Sequence, residues 1–397
     1  MSFEKEYERI ASMLRIKFSR ELTQKDPAAI EVVVILVLSL LMGWDTPSKV
    51  AEHLGLPKHE VYGALKKLTL HDWQRLFACA FENLAIQALL EAQSHSDATW
   101  SRLQVVVAID DSVIRRWGQL LSYLGNWWSG QFHRVLPGQD IVMAVLRIGN
   151  QVIPLHFRIM SCLAQKGRHD KVVGILKDLA AKWKEAGIGI WRIPVSMDAG
   201  YADSGMIETI RELGFRKVLT GAKSSFILRP GRSKKVEAPL KELLGRGRLN
   251  REPGWSCKER VGFLKGASPK FGRVKVCARI MLGKVRWVFA FGIDRACEIV
   301  RVWQSHHWVE EFFKRMKHLL SWGSYRLKGT SGAHASIVVP FLAYFVLLEL
   351  QQLTGGTFER LLWAIDQLSR IDMNDMLKLW DIKRFELTLV EPDVLLH

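Results

Sequence analysis

The sequence predicts an α/β chain. An all-helical region over residues 1–92 and a linker over 93–101 lead into a mixed core over 102–220 that resumes at 294–330. A β-rich insertion occupies 221–293, and a helical C-terminal region covers 331–397. Three observations lead there. Gln104 to Ile109 and Ile193 to Met197 are apolar runs of the kind seen in strands buried on both faces. Helical periodicity over 168–187 and 204–213 separates them from a further apolar run at 216–220. Residues 221–293 carry Pro and Gly clusters between short alternating runs, the pattern of antiparallel strands.

The elements follow in chain order. Thr46, Pro47 and Gly55 read as a cap, a first-turn proline and a stop around a short helix. Pro57 opens a second helix that carries Lys58, Lys66 and Lys67, and the pair suggests helix-turn-helix geometry. The other reading is a dimerisation or scaffold hairpin. The apolar stretch from Ala28 to Gly43 contains Glu31 and is short for a bilayer, so it reads as a buried helix. Gln93 to Trp100 is polar and reads as the linker. Core strands are expected at 104–110, 140–148, 151–158, 193–198 and 216–220.

Two of these strands end in carboxylates, Asp110 with Asp111 in one and Asp198 in the other. Working residues of open α/β sheets sit at such strand ends, although a strand-end Asp also serves as a helix cap or turn residue. Neighbouring strand residues point to opposite faces, so only one of Asp110 and Asp111 can readily face a site. A third carboxylate lies in Trp303 to Lys317, a stretch without Pro or Gly that reads as one helix. At roughly 100° per residue, Trp303, His306, Glu310 and Lys317 fall within about 60° of one another. Val302, Val309, Phe313 and Leu320 form an adjoining apolar stripe. Such a face suits a metal ligand flanked by phosphate-binding groups, or else it is a solvated face of an ordinary amphipathic helix.

These residues resemble the DDE transposases of bacterial insertion sequences, in the cut-and-paste group. That group surrounds its third acidic residue with a Tyr, two residues, Arg, three residues, Glu, six residues, Lys signature. Glu310 and Lys317 match at that spacing, while Trp303 stands at the Tyr position and His306 at the Arg position. The first acidic residue corresponds to Asp110 and the second to Asp198, which leaves Asp111 and Ser112 to cap the turn. The resemblance covers roughly residues 103–353 and includes Arg326, Lys328 and the apolar helix that follows them. It implies a ribonuclease H-like catalytic core, which the order of three strands followed by alternating helix and strand also fits. It implies Mg²⁺ or Mn²⁺ in a two-metal site on Asp110, Asp198 and Glu310, the cations about 3.5–4 Å apart across a phosphodiester. It further implies double-stranded DNA as partner, with terminal inverted repeats cleaved and joined to target DNA, and a homodimer in the synaptic complex. The expected location is the bacterial cytoplasm, bound to the nucleoid, with no membrane association.

Charge points the same way. The formal net charge is +17, but residues 1–100 hold 11 Lys+Arg against 13 Asp+Glu, a net of −2. Residues 223–286 hold 18 Lys+Arg against 4 Glu, a net of +14. A phosphate polymer is the natural partner for that block, with Lys234, Lys235, Arg246 and Arg248 as contacts. Five widely spaced cysteines without a Cys-x-x-Cys pair argue against a zinc site and a disulfide framework. No signal peptide is read at the start. His306 offers a phosphate contact that depends on imidazole protonation, or is a buried histidine. Trp303 either stacks on an unpaired base or belongs to the core. Trp127 and Trp128 read as a loop that stacks on DNA ends or forms a hydrophobic lid. Lys317, Arg326 and Lys328 read as phosphate ligands. The alternatives to a transposase are a catalytically idle descendant used for DNA binding or regulation, and a site-specific nuclease of the same fold.

Overall fold

The computed structural model describes residues 3–25, 27–116, 118, 121–129, 132–161, 167–230, 238–245, 250–251, 259–268, 271–281, 284–323 and 327–369. The chain opens with helices α1 (Phe3–Glu21), α2 (Pro27–Leu41), α3 (Pro47–His53), α4 (Lys58–Lys66), α5 (Leu70–Ser94) and α6 (Asp97–Leu103). Four strands follow, β1 (Val106–Arg115), β2 (Gly125–Ser129), β3 (Arg134–Ile148) and β4 (Gln151–Ile159). Then come α7 (Arg168–Glu185), β5 (Val195–Met197), α8 (Ser204–Glu212), β6 (Val218–Ala222), β7 (Ile227–Pro230), β8 (Ala238–Pro239), α9 (Leu240–Gly245), β9 (Asn250–Arg251), β10 (Glu259–Ser268), β11 (Gly272–Met281) and β12 (Lys284–Phe291). The chain closes with α10 (Ala296–Leu319), α11 (Gly329–Thr354) and α12 (Phe358–Ser369). The fold is mixed α/β.

The chain divides into two compact units. One comprises residues 1–80, 118–122 and 315–397, and the other 81–117 and 123–314. In the first, α2 packs on α1 and α11. Both α2 and α11 bury most of their residues, because each is apolar around most of its circumference and needs a partner on every side. Trp73 donates Nε1–H to Ser331 Oγ at 3.1 Å, and Phe77 meets Phe341 edge-on at 5.5 Å. The N-terminal helices therefore share a core with the C-terminal ones, a long-range pairing that periodicity does not reveal. Helix α11 is long and apolar enough to cross a bilayer, but 94% of its most apolar window is buried within the protein. Thr46 caps α3, accepting from the Lys49 N–H at 3.2 Å, and Gly55 beyond α3 has φ +62°. The expected linker is instead helical, since Ser96 caps α6 three residues before the Thr99 amide it accepts.

The second unit is built on one sheet of order β2-β3-β1-β5-β6-β12-β11-β10-β7-β8, with β4 beside β3 and β9 beside β10. The β1–β3 and β3–β4 pairs are antiparallel, and β1–β5 and β5–β6 are parallel. Val106 to Ile109 are fully buried, as their apolar run requires. The strand does not turn at Asp110 but continues in register with β3 to Arg115. Strand β12 pairs with β6, so the insertion extends the core sheet rather than standing apart from it.

Gly292 links β12 to α10 with φ +70°, and a Cβ there would lie 2.1 Å from the Arg216 carbonyl oxygen. L residues avoid that backbone region, and backbone cannot yield as a flexible side chain can. Gly292→Ala is expected to destabilise the protein by about 1–3 kcal/mol. A lowered urea midpoint at unchanged m-value reads this out, and an unchanged midpoint would contradict it.

Candidate active site

Strands β1 and β5 run parallel with Ile109 beside Met197. The pairing stops there, so Asp110 and Asp198 occupy the next positions of adjacent strands where β5 leaves the sheet. Asp198 is exposed, precedes a short 3-10 turn over Ala199–Tyr201 and makes no side-chain cap hydrogen bond. Capping in this segment falls to Asp203, which accepts from the Met206 N–H at 3.0 Å. Glu310 comes from α10, with its carboxylate 3.0 Å from His307 Nδ1 on an exposed face.

Asp198 and Glu310 both lie close enough to Asp110 to act on its charge. Burial pushes Asp110 well above the usual carboxylate range, and repulsion from Asp111, Asp198 and Glu310 adds to it. A hydrogen bond from the Asp111 N–H at 2.8 Å opposes the shift.

Asp111 points the other way. It accepts from Tyr201 Oη at 2.9 Å and lies 3.4 Å from Arg168 Nη1, while Arg168 Nη2 pairs with Asp140 at 2.5 Å. Asp140 is fully buried, and burial with repulsion from Asp111 pushes it up to about 7 against the pull of Arg168. Asp111 thus belongs to a partly buried ionic network behind the site instead of capping a turn. No local pattern marks Arg168 or Tyr201 for this role, because they come from distant parts of the chain. The sign of Asp140 was legible, as a carboxylate entering an apolar strand.

Helix α10 is seated by aromatic and imidazole packing. His306 is 5% exposed, lies flat against Trp303 at 5.1 Å and 9°, and sits beside the Ser196 backbone in β5. Burial holds its pKa below the ordinary value, so the ring is neutral at pH 7. That is the buried-histidine alternative, and it presents no exposed cation to a phosphate. Trp303 is half-buried and packs on the cluster formed by Val106, Leu219, Val288 and Val302.

The remaining candidate residues are more dispersed. Lys317 is half-buried in the last turn of α10, and Lys328 is exposed at the N-cap of α11. Lys58, Lys66 and Lys67 are exposed on or just after α4. Arg326, Lys234, Lys235, Arg246 and Arg248 lie outside the described residues. Trp127 and Trp128 are in strand β2 rather than a loop. Trp127 is buried and donates to the Gly138 carbonyl at 3.1 Å, while Trp128 is 62% exposed.

The fit to divalent cations is one of donor chemistry. Three hard oxygen donors repel one another at Asp110, a repulsion that a cation relieves. Among the described residues, no group of three His, Cys, Asp or Glu side chains is placed so that it could hold a metal ion. No protein-family model matches the chain, and no curated protein is significantly similar to it.

Two outcomes follow for stability. Asp110 has a raised pKa when folded, so its penalty is absent at low pH and grows as pH rises above the ordinary Asp value of 3.8. Asp110→Asn is expected to gain stability over wild type as pH rises from about 4, whereas Asp111→Asn loses it by breaking the network. Equal effects of the two, in melts run from acid to neutral pH, would contradict the assignment of faces. His306 has a lowered pKa when folded, so its contribution is complete above the ordinary value of 6.5 and falls as pH drops below it. His306→Gln is expected to flatten that loss on the acid side. An acid limb identical to wild type would mean the ring is solvated.

Proposed function

We propose that the chain is a DDE transposase that cleaves DNA at insertion-sequence ends and transfers the strands to target DNA. The observation that supports this reading is the placement of Asp110 and Asp198 directly after the paired residues Ile109 and Met197 of adjacent parallel strands, with Glu310 near enough to add to the repulsion on Asp110. The sheet supports it. The order β4-β3-β1-β5-β6, two antiparallel pairs followed by two parallel pairs, suits a ribonuclease H-like core. In such a core the first two acidic residues come from adjacent strands and the third from a helix laid across them.

Asp110, Asp198 and Glu310 would hold Mg²⁺ or Mn²⁺ in a two-metal site. Bound cations supply activation of the attacking oxygen and stabilisation of the leaving 3′-oxygen. The chain's own groups do the rest. Asp110 is held by its pairing with Met143 of β3, one residue past the end of the β1–β5 pairing. Asp198 starts a turn that leaves its carboxylate open to substrate. His307 orients Glu310 until ligation takes over. The basic block over 223–286, with Lys317 and Lys328, is proposed to track the phosphate backbone of terminal repeats and target. A homodimer in the synaptic complex is part of the same reading, as is a nucleoid-bound place in the cytoplasm. The engagement of Glu310 by His307 favours a second reading, a catalytically idle descendant that only binds DNA.

The test is strand cleavage and transfer on DNA carrying the element's ends, with Mg²⁺ or Mn²⁺. Asp110→Ala, Asp198→Ala and Glu310→Ala are each expected to reduce cleavage by about a thousandfold or more while retaining DNA binding. Cleavage without joining would identify a nuclease. Binding without either reaction would identify the idle descendant. Neutralising Lys234, Lys235, Arg246 and Arg248 together is expected to reduce the salt-dependence slope of DNA affinity by about 3–4. An unchanged slope would place those charges away from the DNA.

A further inference from the structure

The second unit contains a cavity of about 340 Å³ whose lining includes none of Asp110, Asp198 and Glu310. It abuts the starting ends of the parallel strands, at Val105 and Val106 before and in β1, Pro194 before β5 and Lys217 before β6. The carboxylates follow the opposite ends. Along β1 the separation from Val106 to Asp110 is about 13 Å, and along α10 from Arg301 to Glu310 it is also about 13 Å. Glu298, Arg301, Val302 and Ser305 recur at helical spacing, so one face of α10 forms a wall.

Two chemistries meet in this cavity. The first is aromatic. Trp100 lies in the wall with the Arg192 guanidinium 4.4 Å over its ring, and Trp191 at the rim is 55% exposed. An indole left that open loses the burial that normally stabilises it, and it offers a flat face to a planar ring. The second is cationic. Arg192, Lys217, Arg295 and Arg301 face a single carboxylate, Glu298, which is already engaged by Lys217 at 2.7 Å. Gln104 adds an amide to the wall and holds φ +51°, a conformation that side-chain-bearing residues rarely adopt. The volume falls in the usual range for small-ligand sites, about 300–1,000 Å³.

We propose that this cavity is a nucleotide site, with a base stacked on Trp191 and its phosphate held by Arg295 and Arg301. Indole faces stack on any base, and guanidinium groups grip phosphate oxygens in pairs. The ligand is either a free mononucleotide or one nucleotide of a single strand, which share this chemistry. The inference does not depend on phosphodiester cleavage, because binding is measured without divalent cations.

The test titrates the full chain calorimetrically with dAMP, with inorganic phosphate and with a short single-stranded oligodeoxynucleotide. Trp191→Ala is expected to weaken nucleotide binding by roughly fivefold to a hundredfold. The paired change Arg295→Gln with Arg301→Gln is expected to weaken it by roughly tenfold or more. All three side chains border solvent, and melting curves check that the variants fold. Asp110→Asn is expected to bind as wild type does, which separates this site from the carboxylates. Weakening of dAMP binding by both changes identifies a free nucleotide, and weakening of oligonucleotide binding alone identifies a strand. Because Trp191→Ala leaves the charge unchanged, its effect distinguishes the cavity from general attraction to a basic surface. Insensitivity of every ligand to Trp191→Ala, or inorganic phosphate binding as tightly as dAMP, overturns the proposal.

Discussion

The close seating of helix α10 on strands β5 and β6 is the constraint on which the candidate active site depends. Glu310 has no other means of reaching Asp110 and Asp198, since it lies more than a hundred residues further along the chain from Asp198. The approach is tight. A Cβ on Gly221 in β6 would lie 2.8 Å from the Ala199 nitrogen and 3.2 Å from the Trp303 ring. Only a residue without a side chain lets the indole and the turn after Asp198 share that space. His306 completes the seat by packing flat on Trp303 beside the Ser196 backbone of β5. Trp303, half-buried, and His306, buried, thus help to seat the helix that carries Glu310.

Strand β1 separates two kinds of carboxylate by its alternation. Asp110 faces other negative charge, offset in part by the neighbouring Asp111 amide. Asp111 faces Arg168 and Tyr201, with Asp140 completing a network of paired groups. A buried charge held against its own kind is costly, and proteins tolerate that cost where a ligand relieves it. The paired network behind it anchors the strand. Two adjacent residues of the same type therefore stand in opposite electrostatic environments, a difference set entirely by which face each occupies.

Helix α10 is also shared between two places in the second unit. Its first half, with Glu298, Arg301 and Ser305, lines the cavity at the starting ends of β1, β5 and β6. Further along, Glu310 stands near the opposite strand ends. Arg147 fastens the middle, donating to Ser305 at 2.9 Å and lying 4.6 Å from the Trp308 ring. The apolar cluster beneath, including Val106, Leu219, Val288 and Ile299, leaves little room for the helix to tilt.

Much of the local structure was determined by the sequence itself. The caps and stops around α3, the helix at Arg168–Glu185 and the strands carrying Asp110 and Asp198 follow from turn chemistry and from periods of 2 and 3.6, which act within a few residues. The spacing of Trp303, His306, Glu310 and Lys317 likewise placed them along one helix. Tertiary structure decided everything that depends on distant partners. It continued β1 through Asp110 because β3 supplies a ladder to Arg115. It joined the insertion to the core sheet because β12 finds β6, and it turned the polar stretch before residue 102 into a capped helix. It chose between a charged and a neutral His306 by burying the ring against Trp303, since the cost of charging an imidazole depends on what surrounds it and not on its place in the chain.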